Sequence, residues 1–193
     1  MYLGFNNKEL IVTFDENDYE GKTVLFEGEQ LEDGSFLACP LFVHKIYPTT
    51  IEEKGRGIQD EIVGEELTAM MQAISAYCEK TSQKVVFEEI TPVPYVPSKV
   101  KVLYWSNSQG VVLFEEGLFA GQAVRWSGEY IAEGFWFYSF AAEIIRPPSE
   151  GKEKGYAYAN RIEVIRNVEK REYPALRQAM EEVCAARGDK AVF

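Results

Sequence analysis

The chain has 193 residues, of which 46% are hydrophobic and 13% aromatic, so one domain or two small ones can form a real core. No run approaches the ~18 apolar residues of a membrane span, and residues 1–9 lack the basic-then-apolar pattern of a secretion signal. The net charge of −11 repels nucleic acid, and three cysteines, an odd number, argue against a disulfide framework and fit a reducing cytoplasm.

In chain order, residues 2–5 read as a short strand, followed by the polar turn Asn6-Asn7-Lys8 and a second strand at 10–14. An acidic turn leads to a third strand at 22–27. Asp33-Gly34 marks a tight hairpin turn, because glycine there supplies φ > 0. A long apolar strand at 35–46 stops at Pro48. After a connector, Leu67, Met70, Met71, Ile74, Tyr77 and Cys78 recur on one helical face, and a short strand at 84–87 follows.

The second half reads the same way. Strands are expected at 101–105, 111–114, 122–127 and 135–145, with Glu133-Gly134 at the hairpin and Pro147-Pro148 as the stop. The connector is six residues longer here, and the alternating run 156–165 fits an extra strand. Tyr173, Leu176, Met180, Val183 and Cys184 form the helical face, with Pro174 where a first turn tolerates it. Arg177 replaces Met71, so this stripe is narrower. A strand at 190–193 closes the chain.

Residues 2–55 slide onto 102–155 at a constant offset of 100 without a gap, matching Leu3/Leu103, Phe14/Phe114, Gly21/Gly121, Gly28-Glu29/Gly128-Glu129 and Gly34/Gly134. Residues 67–87 slide onto 173–193 at an offset of 106, matching Cys78/Cys184 and Val86-Phe87/Val192-Phe193. The expected fold is α+β: two tandem copies of an antiparallel sheet of about four to five strands followed by one packed helix, related as an intramolecular pseudo-dimer by a pseudo-twofold. The copies are 1–94 and 95–193. A linker at about 91–98, Thr91-Pro92-Val93-Pro94-Tyr95-Val96-Pro97 and the residue after it, favours extended, stiff geometry.

The inventory leaves little room for familiar catalytic machinery. His44 is the one histidine and reads as a packed or surface residue. No cysteine pair has metal-ligand spacing, and neither a phosphate-cradling glycine loop nor a nucleophile elbow is present. Asp15-Glu16-Asn17-Asp18-Tyr19-Glu20-Gly21 fails as a calcium loop, since Tyr19 falls at the fifth place and the glycine is one residue late. No catalytic residue, metal or cofactor is expected. Glu29 and Glu129 read either as interaction sites or as carboxylates bonding backbone amides in a turn.

The charge is unevenly divided. Residues 1–94 carry 18 acidic and 7 basic side chains, whereas residues 95–193 carry 13 of each. An acidic first copy attracts a basic protein. Asp15, Glu16, Asp18, Glu20, Glu27, Glu32 and Asp33 are the candidate partner-binding residues. Trp136, Tyr138 and Phe140 lie in a strand with aromatics on both faces, which predicts a cover on each face. One cover is the copy's own helix; the other is the sister copy or a partner.

Gly121, Gly128-Glu129-Tyr130-Ile131, Gly134-Phe135, Ile145-Arg146-Pro147-Pro148 and Ala191-Val192-Phe193 together resemble the immunity protein 74 family of bacterial polymorphic toxin systems. The resemblance implies a cytoplasmic, non-catalytic domain that neutralises a toxin domain by binding it. A basic toxin domain occluded by the first copy is the resulting expectation. The alternative is a pseudo-dimeric small-molecule-binding protein or enzyme with a site between the repeats.

Overall fold

Alternation of apolar and polar residues builds the strands. In Glu9–Thr13, Leu10 and Val12 are fully buried while their neighbours are half-exposed, the period-two pattern of a sheet with one face on a core. The structure is a computed structural model that describes residues 1–15, 19–41, 43–47, 57–147 and 162–193. The chain divides into two units, Met1–Ile90 and Thr91–Phe193. Both are mixed α and β.

The first unit contains β1 (Tyr2–Phe5), β2 (Glu9–Thr13), β3 (Thr23–Gln30), β4 (Phe36–Ala38), β5 (Val43–Tyr47), β6 (Gly57–Ile62), α1 (Gly64–Lys80) and β7 (Val85–Phe87). Its seven strands form one sheet in the order β1-β2-β3-β4-β7, with β5 paired to β3 and β6 paired to β5. Leu10, Val12, Val24, Phe26 and Phe36 on the sheet pack with Met70 and Ile74 of α1. Each such fully buried side chain contributes roughly 1.5–3 kcal/mol.

The second unit contains β8 (Val100–Trp105), β9 (Gln109–Phe114), β10 (Ala123–Ile131), β11 (Gly134–Ile145), β12 (Val164–Asn167), a 3-10 turn at Lys170–Glu172, α2 (Tyr173–Arg187) and β13 (Ala191–Val192). The sheet order is β12-β11-β10-β9-β8, with β13 on β11. Trp126, Phe135, Phe137 and Tyr173 are fully buried, and Trp126 lies 4.9 Å from Phe137 and 5.3 Å from Tyr173 between ring centres. Gly188, at φ 79°, ends α2, and the Asp189 N–H donates back to the Cys184 carbonyl.

Several expectations need correction. The sheets hold seven and six strands rather than four or five, and neither is wholly antiparallel, because β7 runs parallel to β4 and β13 parallel to β11. A helix precedes each closing strand, and a helical crossover returns the chain in the same direction. The long strand expected at 35–46 is two strands. After Cys39 donates to the Glu27 carbonyl, Pro40 has no amide to continue the ladder, and pairing resumes at Val43. In the second unit β11 runs through, but it bulges opposite Ser127 and holds Phe140 at φ 51°.

An extra strand occurs in both units, as β6 and as β12. The part of the run 156–165 before Ile162 lies outside the described residues, and β12 begins only at Val164. The gap-free offset of 100 also fails. Thr23 pairs with Ile46 while Ala123 pairs with Ile145, an offset of 99, because the loop at 31–35 is one residue longer than the turn that follows Tyr130. In the same way Leu25 pairs with His44, while Arg125 pairs with Glu143.

Nor is the second helix the less buried one. α1 buries Met70 and Ile74, whereas α2 buries seven residues, including Ala175 and Ala179. Arg177 adapts to its apolar setting by lying over the Phe193 ring, 4.4 Å from its centre. The Pro-rich segment is also fixed to its own unit: the Val93 N–H donates to the Arg171 carbonyl at 2.8 Å, and the Tyr95 hydroxyl to Glu182 Oε1 at 2.5 Å.

Candidate functional site

The acidic residues occupy both ends of β3. Asp15 and Glu20 lie in the turn before it, and Glu32 and Asp33 in the loop after it. Eight residues at ~3.3 Å each place the two groups about 25 Å apart. Glu16 and Asp18 lie outside the described residues. Among the described residues, the expected set is therefore not gathered into one patch.

Their local roles differ. Asp15 pairs with the Met1 amino group, whose hydrogen bond holds the carboxyl below its ordinary value. Asp33 accepts from the Ser35 hydroxyl at 2.5 Å and the Ser35 N–H at 3.0 Å; these bonds lower its pKa and close the β3–β4 loop. Glu20 and Glu32 are exposed. Glu27 stands on β3 directly opposite Glu9 of β2, and the Asn6 side-chain amide donates to Glu9 at 3.0 Å. Glu9 was not singled out by sequence, because only register brings it beside Glu27.

The aromatic residues of β11 separate into two settings. Phe135 and Phe137 point to the core, 4.9 Å apart between ring centres. Trp136 and Tyr138 alternate onto the other face, where Trp136 is half-buried and Tyr138 is 36% exposed. Phe140 does not join them. The bulge turns its ring onto Tyr173, 5.2 Å away, with the Lys170 ammonium 5.9 Å from its centre. Two side chains lock this bulge: the Trp126 indole N–H donates to the Tyr138 carbonyl at 2.8 Å, and the Ala142 N–H donates to the Tyr173 hydroxyl at 3.0 Å. Backbone groups freed from the ladder are thus satisfied, and the position of Tyr138 is fixed.

Glu29 and Glu129 are strand residues opposite Leu37 and Trp136, not turn residues bonding amides. Glu129 neighbours the Tyr138 hydroxyl. Burial first, and then the Glu129 carboxylate, raise the Tyr138 pKa. His44 is buried on β5 opposite Leu25. Among the described residues, no group of three or more His, Cys, Asp or Glu side chains is placed to hold a metal ion.

No family model, curated protein or solved structure matches this chain. An open groove of about 360 Å³ lies between Met71, Gln72, Ser75 and Phe87 of the first unit. Thr68, Ala76 and Glu79 complete its lining, and Glu79 is its one ionisable group. No helix of the described residues is long and apolar enough to cross a membrane.

Proposed function

We propose that the chain is a non-catalytic, protein-binding pair of duplicated domains whose acidic first unit captures a basic protein, in the manner of an immunity protein occluding a toxin domain. The duplication is supported by matched local geometry. Gly21 and Gly121 have φ of 78° and 76°, and each donates to the carbonyl of an aromatic residue, Phe14 just after β2 and Phe114 at the end of β9. Those rings lie 5.4 Å from Tyr19 and 5.1 Å from Phe119, at interplanar angles of 56° and 57°. Phe36 and Phe135 both donate to a lysine carbonyl, of Lys84 and Lys190, just before the closing strand.

The observation that carries the binding reading is the charge division, with 18 acidic and 7 basic side chains in residues 1–94 against 13 of each in residues 95–193. Register sets two of these carboxylates, Glu9 and Glu27, opposite each other on neighbouring strands. The pair belongs to the unit that holds the whole charge excess, so a basic surface is steered to it. The resemblance to immunity protein 74 gives such a partner a concrete class. Occlusion needs no catalytic group on this chain.

The test is a pull-down with the full chain at low and high salt, with bound proteins identified by mass, followed by affinity measurement on charge-reversed variants. A basic protein released by salt and lost in Glu9→Lys/Glu27→Lys supports the reading. Retained affinity in that variant, or a partner that is not basic, refutes it. Glu20→Lys and Glu32→Lys, made separately, distinguish which end of β3 the partner covers.

A further inference from the structure

We propose that Trp136, Tyr138 and Glu129 form a receptor corner for an arginine side chain of a partner protein. The Trp136 and Tyr138 rings lie 5.4 Å apart between centres at an interplanar angle of 82°. Two rings in a T enclose a corner bounded by the face of each, and both faces carry the negative lobe of the ring quadrupole. A cation seated there meets two aromatic faces at once. Glu129 completes the site: it is the cross-strand partner of Trp136 and it neighbours the Tyr138 hydroxyl. The corner thus offers a carboxylate beside two rings, which matches a planar guanidinium better than a point-charge ammonium.

The rest of the unit supports the reading. Other aromatic faces here already carry cations of the chain itself. Arg187 lies 4.6 Å from the Trp105 ring centre, Arg177 lies 4.4 Å from Phe193, and Lys170 covers Phe140. Trp136 and Tyr138 neighbour a carboxylate instead. Their position is also fixed in advance, since Trp126 and Tyr173 lock the bulge that follows Tyr138. Preorganised Trp, Tyr and Arg are the residues that dominate binding energy at protein interfaces. The corner belongs to the second unit, and its chemistry does not depend on the acidic surface of the first.

The test titrates the full chain with the capped tripeptide Gly-Arg-Gly and its citrulline counterpart, which has the same shape without the charge. The readout is NMR of the Trp136 indole and the Glu129 amide. The arginine peptide is expected to shift both signals and the citrulline peptide to leave them in place. Glu129→Gln should weaken the binding by about two- to fivefold, and Trp136→Leu should abolish it. Equal response to citrulline, shifts elsewhere only, or indifference to both substitutions overturns the proposal. Glu9→Lys/Glu27→Lys should leave this titration unchanged, so failure of the corner and failure of the acidic surface are read separately.

Discussion

The α-carbon of Gly128 faces the backbone of Trp136 so closely that a Cβ added to it would lie 2.2 Å from the Trp136 carbonyl oxygen and 2.5 Å from the Phe135 ring. Gly28 stands in the same relation to Leu37 and Phe36, at 2.1 and 2.5 Å. Neither backbone can give way without breaking its ladder. Gly128→Ala and Gly28→Ala are each expected to destabilise the protein by about 2–4 kcal/mol in urea unfolding. The control is Gly21→Ala, where φ is 78° but no atom lies within 4 Å of the added carbon. It should cost only the left-handed penalty of about 1–2 kcal/mol. Equal losses at all three sites would refute the close-approach argument.

Glu172 sets a pH dependence. It is 8% exposed, and burial, the largest influence, raises its pKa. Two bonds from Arg166 at 2.7 and 2.8 Å, and one from the Glu169 N–H at 2.8 Å, outweigh burial and bring the pKa below its ordinary 4.5. A depressed carboxyl pKa contributes stability that is complete above the ordinary value and lost as pH falls through the folded value. Glu172→Gln should therefore lower stability by about 1–3 kcal/mol at neutral pH and flatten its fall below pH ~4.5. Urea midpoints measured at pH 7, 5 and 3 check both parts.

Tyr95 anchors the Pro-rich segment to α2 through Glu182. Burial first, and then the Glu182 carboxylate, push its pKa up to about 12. A raised phenol pKa contributes stability that is present below the ordinary value of 10 and lost as pH rises through about 12. Tyr95→Phe should speed hydrogen exchange at the Val93 amide while global stability changes by less than about 1.5 kcal/mol. A Val93 exchange rate unchanged by the substitution would show that the segment is held by other contacts.

The cysteines should differ in reactivity. Burial pushes the Cys184 thiol up to about 12 and raises that of half-buried Cys78, while Cys39 is buried. Since the thiolate is the reactive form, the native protein at pH 8 should leave Cys184 and Cys39 unmodified by an aromatic disulfide reagent, with Cys78 slow. All three should react in denaturant. Rapid modification of Cys184 in the native state would contradict its packing.

Sequence alone determined the local elements. The alternation of Leu10 and Val12, the Met70 and Ile74 stripe, and Pro174 at the first turn of α2 are set by neighbours a few residues away, so they are legible in one dimension. The charge excess of residues 1–94 was likewise open to counting. Tertiary structure decided what lies across the sheet. Register put Glu9 beside Glu27 and Glu129 beside Trp136, and it set His44 opposite Leu25 and Glu143 opposite Arg125. A one-residue change in pairing leaves composition and local propensity untouched, yet it decides which side chains meet. The bulge in β11 acted in the same way: it turned Phe140 onto Tyr173 and left Trp136 with Tyr138 on the opposite face, because the Trp126 indole and the Tyr173 hydroxyl could satisfy backbone groups that the ladder had released.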